Sequence, residues 1–113
     1  MSQKQPDYAE FIKALPQPDI PFEGVEAHLL AAPQAQAVFF SLPAGASVPP
    51  HSHCAQWGIV VDGELELTIG GATRTLRRGD TYHIADGEEH SARVITRCLA
   101  IDVFDDPNRY QAK

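Results

Sequence analysis

The chain has 113 residues, of which 43% are hydrophobic and 21% charged, and its formal net charge is -6 at pH 7. This composition predicts one globular domain over residues 1–113 and excludes a disordered chain. An acidic surface repels phosphate backbones, and no apolar run approaches the length of a membrane span. We therefore expect neither nucleic acid nor membrane as a partner. Because no signal-peptide pattern opens the chain, we expect a cytoplasmic protein whose Cys54 and Cys98 stay reduced thiols.

The N-terminal arm, about residues 7–24, begins with a pattern typical of a short helix. Its apolar residues recur at helical spacing and are Tyr8, Phe11, Ile12 and Leu15. Asp7 stands where it can cap this helix, with Glu10 three residues later, and Pro16 ends it. One short helix cannot bury its apolar stripe alone, so it must pack on the domain or on a second subunit.

From about residue 25 to residue 104 the chain alternates between short apolar-rich stretches and glycine, proline or aspartate turns. The predicted strands are 25–30, 36–42, 57–61, 64–69, 73–76, 81–84 and 97–104. Pro49 and Pro50 hold the backbone extended before His51, and Asp62-Gly63 predicts a two-residue hairpin. About eight or nine short strands indicate a small β-sandwich or barrel, with residues 105–113 as a C-terminal tail.

Two histidines at alternate positions of the extended stretch after the prolines are candidate metal ligands. On a strand His51 and His53 point to the same face, and Gln56 offers a side-chain carbonyl shortly after them. His90 lies on a separate segment and would close the site. Imidazole nitrogens and a carbonyl oxygen can hold a divalent ion. The alternative is a metal-free pocket with stacked imidazoles.

The spacing around these histidines resembles the first conserved motif of the cupin family. Gly45, His51, His53 and Gly63 all match, while Gln56 stands where the family has glutamate, with one residue fewer after the second histidine. An amide brings a dipole instead of a full charge to a divalent ion. We therefore expect weaker metal affinity, together with a more strongly acidified bound water.

The second cupin motif follows at the right distance. Gly79, Gly87 and His90 match in register, whereas Ala85 and Val94 replace the family's proline and asparagine. Two motifs in order are much more specific than His-x-His alone. The resemblance implies an all-β cupin jelly-roll β-barrel with a short N-terminal helix, and it also implies a homodimer. It further implies one divalent metal ion, zinc, nickel, iron or manganese, held by His51, His53, Gln56 and His90.

Asp102 interrupts an otherwise apolar strand. Burying a carboxylate there costs free energy unless it is paired with a positive charge or takes part in the function. Its partner could be Arg109 in a structural ion pair, or a cation in the pocket. His83, on the strand that leads to His90, could be a proton donor in the pocket wall or a surface histidine. Asp102, Arg109 and His83 are therefore the candidate catalytic residues.

The Asp-Val-Phe…Pro…Arg pattern at the end of the chain resembles the small cupins of pectin and alginate breakdown. Those proteins open the ring of unsaturated uronic acids to the linear keto form. The resemblance implies that Asp102 handles protons, Phe104 walls the pocket and Arg109 holds the substrate carboxylate.

The function expected from these observations is a divalent-metal-binding cupin enzyme of isomerase, lyase or sugar-acid ring-opening type. Its ligand would be a small polar or anionic metabolite, with the metal polarising a substrate oxygen. A metal-dependent dioxygenase and a non-catalytic small-molecule-binding cupin are the alternatives, because this fold hosts many chemistries.

Overall fold

The computed structural model describes residues 5–113, so residues 1–4 of the predicted domain lie outside the described part. The expectation of an all-β chain with a short helix is confirmed. The elements are α1 Glu10–Lys13, β1 Glu26–Ala31, β2 Gln36–Leu42, β3 Ser47–His51, β4 Gln56–Asp62, β5 Glu64–Ile69, β6 Ala72–Arg77, β7 Thr81–Ile84, β8 His90–Val94 and β9 Cys98–Phe104. Within residues 5–113 no helix is long and apolar enough to cross a membrane.

The strands form two antiparallel sheets, a five-stranded one in the order β1-β2-β9-β4-β7 and a four-stranded one in the order β3-β8-β5-β6. Alternate side chains of each strand face the space between the sheets, as the sequence pattern predicts. One part of this space is filled by a mainly aliphatic cluster that includes Val60, Leu65, Leu76 and Ile84. The rest of the space is a cavity that reaches Phe104 and is lined in part by cluster members such as Leu65 and Ile84, so the functional site lies against the core.

The predicted hairpin at Asp62-Gly63 is wrong, because β4 and β5 lie in different sheets. Strand β4 pairs with β7 and β9, whereas β5 pairs with β6 and β8. Gly63 has a φ of 89°. A Cβ atom there would collide with the carbonyl group of Arg97. The glycine therefore allows the chain to pass from one sheet to the other.

The N-terminal helix is shorter than its apolar stripe predicts, and Asp7 does not cap it. Ala9 is the N-cap residue, with no side-chain hydrogen bond. The carboxylate of Asp7 instead accepts from the backbone N–H of Tyr8 at 2.8 Å and pairs with Lys13 at 2.9 Å. The predicted capping box is therefore absent, and none of the residues of the single helical turn is buried.

Strand β8 was not predicted, and β3 was predicted only as the extended stretch that leads to His51, yet these two strands carry two of the three candidate ligands. His51 ends β3 and His90 begins β8, and the two residues are direct cross-strand partners. Proline is tolerated in β3 because this strand is the edge of its sheet. The prolines thus hold the backbone extended, as predicted, but within a paired strand.

Candidate metal centre

The three histidines lie together at one end of the space between the sheets. His51 and His90 face each other across β3 and β8, and His53 follows in the connection to β4. Their ring centroids are 4.2 to 5.0 Å apart. One ring nitrogen from each histidine lies within 4.8 Å of the other two. This spacing is suitable for three ligands of one ion.

Each imidazole is oriented by a hydrogen bond between its Nδ1 atom and a backbone carbonyl. The contacts are His51 to Pro49 at 2.9 Å, His53 to Cys54 at 2.8 Å and His90 to Glu88 at 3.0 Å. Because a carbonyl oxygen can only accept, Nδ1 must carry the hydrogen in each ring. The lone pair of the neutral ring is therefore on Nε2, the usual arrangement for histidines that bind metal.

Burial keeps two of the rings uncharged at neutral pH. It lowers the pKa of His53 from 6.5 to about 4. It also lowers the pKa of His90 below its usual value. A neutral imidazole is the form that coordinates a metal, so the cavity holds these side chains ready to bind without the prior loss of a proton.

Gln56 adds an oxygen that has no protein partner. Its Nε2 group donates to Asp102 Oδ1 at 2.8 Å, which fixes the orientation of the amide. Its Oε1 atom is buried and accepts no hydrogen bond from the described residues. A buried polar atom without a partner is costly and calls for an explanation. Three imidazole Nε2 atoms and one free amide oxygen fit a divalent ion as the missing partner.

Asp102 is buried and makes hydrogen bonds through one oxygen. Oδ1 accepts from Gln56 and from the hydroxyl group of Tyr82, the latter at 2.7 Å. Burial raises the pKa of Asp102 to about 6, while these two hydrogen bonds act in the opposite direction. Both donors bind Oδ1, so Oδ2 is the oxygen left for a ligand or a substrate proton.

Tyr82 and Gly58 are site residues that the sequence reasoning missed. A Cβ atom on Gly58 would overlap both Asp102 and Tyr82, so glycine makes room for their hydrogen bond. A glycine in the interior of a strand often marks such a close approach. That signal, together with the inward position of Tyr82 next to His83, could have identified the pair.

The Asp102 contact explains why glutamine replaces the glutamate of the cupin motif. A glutamate at position 56 would bring a second carboxylate to a carboxylate now 2.8 Å from the amide nitrogen. Two such groups cannot both be ionised at that distance. The amide satisfies both requirements, because it donates to Asp102 and still presents an oxygen to the cavity.

Arg109 does not form the ion pair with Asp102 that the sequence left open. None of the salt bridges among the described residues involves either residue. The guanidinium carbon instead lies 4.3 Å from the ring centroid of Tyr110 and 5.5 Å from that of Phe104. The Nε atom of Arg109 is buried and without a partner in the described chain. This stacked, unpaired cation can accept an anionic ligand.

The cavity that these groups share has a volume of about 490 Å³. The predicted residues that line it are His51, His53, Gln56, His90, Asp102, Phe104 and Arg109. His83 is not among them. Its side chain is exposed on the opposite face of β7 from Tyr82 and Ile84, which do line the cavity. The structure therefore agrees with the surface alternative for His83.

A family model described as "Cupin domain" matches residues 38–104, more than half of the chain. The chain belongs to the cupin family. This cupin is similar to the solved structure of KdgF from Halomonas sp., with 29% identity, a TM-score of 0.76 and coverage of 86% of this chain and 92% of that one. Both chains therefore correspond over nearly their whole length.

Two further solved structures support the same fold. A RmlC-like cupin from Shewanella frigidimarina NCIMB 400 is 27% identical with a TM-score of 0.78, over 95% of this chain and 96% of that one. A predicted oxalate decarboxylase from Thermotoga maritima is 23% identical with a TM-score of 0.69, over 80% and 91%. No curated protein matches the chain.

Proposed function

We propose that this cupin is a metal-dependent isomerase that opens the ring of a small unsaturated sugar acid. The observation that carries the proposal is the shared cavity, where a cluster of metal-type donors lies together with an unpaired arginine. A substrate with a carboxylate and a neighbouring hydroxyl group fits both features. The likeness to KdgF and the uronate-cupin pattern at the end of the chain favour this substrate class.

Arg109 would bind the substrate carboxylate. Its planar guanidinium group is held over two aromatic rings, so it has few alternative orientations to lose when a ligand binds. A charge-assisted hydrogen bond of this kind contributes about 1.5–3 kcal/mol. The apolar walls formed by Phe104 and Tyr110 exclude water and strengthen the interaction.

Asp102 would move the proton. Opening an unsaturated uronate removes a proton from the hydroxyl group on the anomeric carbon, breaks the ring C–O bond and adds a proton to the former alkene carbon. The reaction is an isomerisation, so one carboxyl oxygen can accept the proton and return it. Oδ2 is suited to this role, because Gln56 and Tyr82 both bind Oδ1. A pKa of about 6 is close to neutral, which favours transfer in both directions.

A divalent ion, when bound by His51, His53, Gln56 and His90, would polarise the substrate hydroxyl oxygen and make it more acidic. The chain's own contribution is to hold these four donors in fixed orientations. Three backbone carbonyls position the imidazoles, and Asp102 positions the amide.

The test is ring opening of an unsaturated uronate by the metal-loaded protein, followed by NMR. The wild-type chain should exceed the spontaneous rate. Arg109→Ala should weaken substrate handling roughly ten- to a hundredfold, seen mainly in KM, because each 1.4 kcal/mol is a factor of ten. Asp102→Asn should abolish turnover with little change in substrate binding. His83→Ala is the control and should behave as wild type.

The proposal is wrong if the wild type does not exceed the spontaneous rate with any of the candidate metals. Oxygen consumption with iron or manganese would identify the dioxygenase alternative. Tight binding of a sugar acid without turnover would identify a binding protein. If both variants turn over a substrate as wild type does, Asp102 and Arg109 have only structural roles.

A further inference from the structure

We propose that Gln36 is the positioning residue for Arg109, so that recognition of a ligand carboxylate depends on a side chain that the ligand never touches. Gln36 is the first residue of β2 and is only 1% exposed. It is not among the residues that line the cavity, whereas Arg109 is. This role rests on the proposed function, in which Arg109 binds the substrate carboxylate.

The side-chain amide of Gln36 binds the C-terminal tail through both its nitrogen and its oxygen. Nε2 donates to the backbone carbonyl of Pro107 at 3.1 Å and to that of Tyr110 at 3.0 Å. Oε1 accepts from the backbone N–H of Tyr110 at 3.0 Å. These backbone groups lie on both sides of Arg109 in the sequence. One buried amide, with its donors and its acceptor all paired, therefore holds the short segment that carries the arginine.

The tail is also attached at its two ends, but not at the arginine. Its first residue, Asp105, donates its backbone N–H to the carbonyl of Ala55, and its last three residues pair with residues 17–19 of the N-terminal arm. Between these ends, every hydrogen bond that links residues 106–110 to another part of the described chain is made by Gln36. Loss of this amide should therefore loosen residues 106–110 while both ends of the tail stay attached.

The place of Gln36 in the sheet relates the arginine to the metal donors. Gln36 is the cross-strand partner of Phe104, and Phe104 is also the partner of Gln56, so the three residues form one row across β2, β9 and β4. The Phe104 ring centroid lies 5.6 Å from that of His53 and 5.5 Å from the guanidinium carbon of Arg109. Because neighbouring strands are about 4.8 Å apart, the sheet fixes the spacing of the row. The row thereby sets where Arg109 lies relative to the metal donors.

An arginine on a fixed segment should bind an anion more tightly than one on a mobile segment. Ordering a side chain or a loop during binding lowers the affinity, whereas a group that is already in place avoids that loss. The guanidinium group of Arg109 lies over the rings of Phe104 and Tyr110. This stacking requires the backbone of the segment to stay where Gln36 holds it. The amide of Gln36 therefore contributes to carboxylate affinity through Arg109.

The first measurement is NMR relaxation of the full chain without a ligand, in wild type and in Gln36→Met. Methionine is an unbranched side chain of similar size, but it has no N–H donor and only a weak acceptor. The backbone order parameters of residues 108–110 should be about 0.85 in wild type and should fall towards about 0.6 in the variant. Leu76→Ala, at a buried residue that does not line the cavity, is the control. It should lower the stability of the fold and leave these order parameters unchanged.

The second measurement is calorimetric titration of the metal-loaded protein with D-galacturonate, a saturated uronate that lacks the alkene consumed in the proposed reaction. Gln36→Met should weaken binding at least about tenfold, because a small misplacement of a positioned group has effects of this size. In an Arg109→Ala background the same substitution should change the affinity by less than about twofold, because the residue through which it acts is gone. A merely structural role would weaken binding equally in both backgrounds. Leu76→Ala should bind as wild type does.

The outcomes separate this role of Gln36 from the proposed reaction. If wild type binds galacturonate but does not open an unsaturated uronate, and Gln36→Met behaves as expected in both measurements, the reaction is wrong and the positioning role stands. The role is overturned if residues 108–110 stay equally rigid in Gln36→Met, if the affinity falls equally with and without the Arg109 side chain, or if wild type binds no galacturonate. With a substrate that is turned over, Gln36→Met should raise KM and leave kcat unchanged, because Asp102 and the metal donors are unaffected.

Discussion

The two faces of strands β4 and β9 differ in how they are specified. The inner face carries Gln56, Gly58 and Asp102, and their positions are fixed by short, directed contacts. The outer face carries Trp57 and Val103, which are exposed and apolar and make no side-chain hydrogen bond among residues 5–113. Adjacent residues of the same strand are therefore constrained in different ways. A single atom can matter on the inner face, whereas no directed contact among the described residues constrains Trp57 and Val103 on the outer face.

Loss of a metal-ligand residue on the inner face should have the largest effect, and that effect is on metal affinity. In His51→Ala the metal loses one of three imidazoles, and its affinity should fall at least about a hundredfold, because even loss of an orienting partner costs ten- to a hundredfold. Metal content after dialysis against a chelator, measured by elemental analysis, tests this. His83→Ala removes an exposed histidine from the outer face and should leave the content unchanged. Equal metal content in both variants would contradict the three-histidine site.

Gly58→Ala should destabilise the fold by about 1–3 kcal/mol, because the added methyl group overlaps the Tyr82–Asp102 contact. Unfolding in urea measures the change. In a Tyr82→Leu background, where the overlapping ring is gone, the same substitution should cost clearly less. An equal cost in both backgrounds would show that the crowding at Gly58 has another source.

Exchanging the amide of Gln56 and the carboxylate of Asp102 tests whether Asp102 is the reason that position 56 carries an amide. In Gln56→Glu alone, two carboxylates lie next to each other and share one proton. Metal affinity should therefore rise only a little. In Gln56→Glu with Asp102→Asn, the asparagine donates to the new carboxylate, which then faces the cavity as an anion. That double variant should bind metal about tenfold more tightly than wild type in a chelator competition. An equal gain in the single variant would contradict the proposed role of Asp102.

The metal-free protein should lose stability as the pH falls from about 6.5 towards 4. The pKa of His53 is lowered from 6.5 to about 4 by burial, so its contribution is complete above 6.5 and is lost on acidification. The pKa of Asp102 is raised from 3.8 to about 6, so its contribution has the opposite sign and grows as the pH falls. The pKa of His90 is lowered by burial as well, so the two histidines together lose more stability on acidification than Asp102 gains.

Urea unfolding between pH 7 and pH 4, with a chelator present, tests this balance. His53→Asn should flatten the pH dependence, and Asp102→Asn should make the decline steeper. A shallower decline in Asp102→Asn would mean that its carboxyl group is not protonated preferentially in the folded state.

The sequence alone predicted the candidate ligands, because one pair is local and the family resemblance supplies the others. His51 and His53 stand two residues apart on an extended segment, and the motif spacing brought in Gln56 and His90. Alternation of apolar and polar residues gave the strands and the inward faces. Such patterns indicate which way a side chain points, since strand geometry has a period of two.

What the tertiary structure decided is which groups meet. The Gln56–Asp102 contact joins residues 46 positions apart, and the Tyr82–Asp102 contact joins residues 20 apart. The sheet crossing at Gly63 and the free guanidinium group of Arg109 likewise depend on distant parts of the chain. Periodicity assigns a face to a residue but not its neighbours on the adjacent strands, because strand order and register are fixed only when distant segments pair in the sheet.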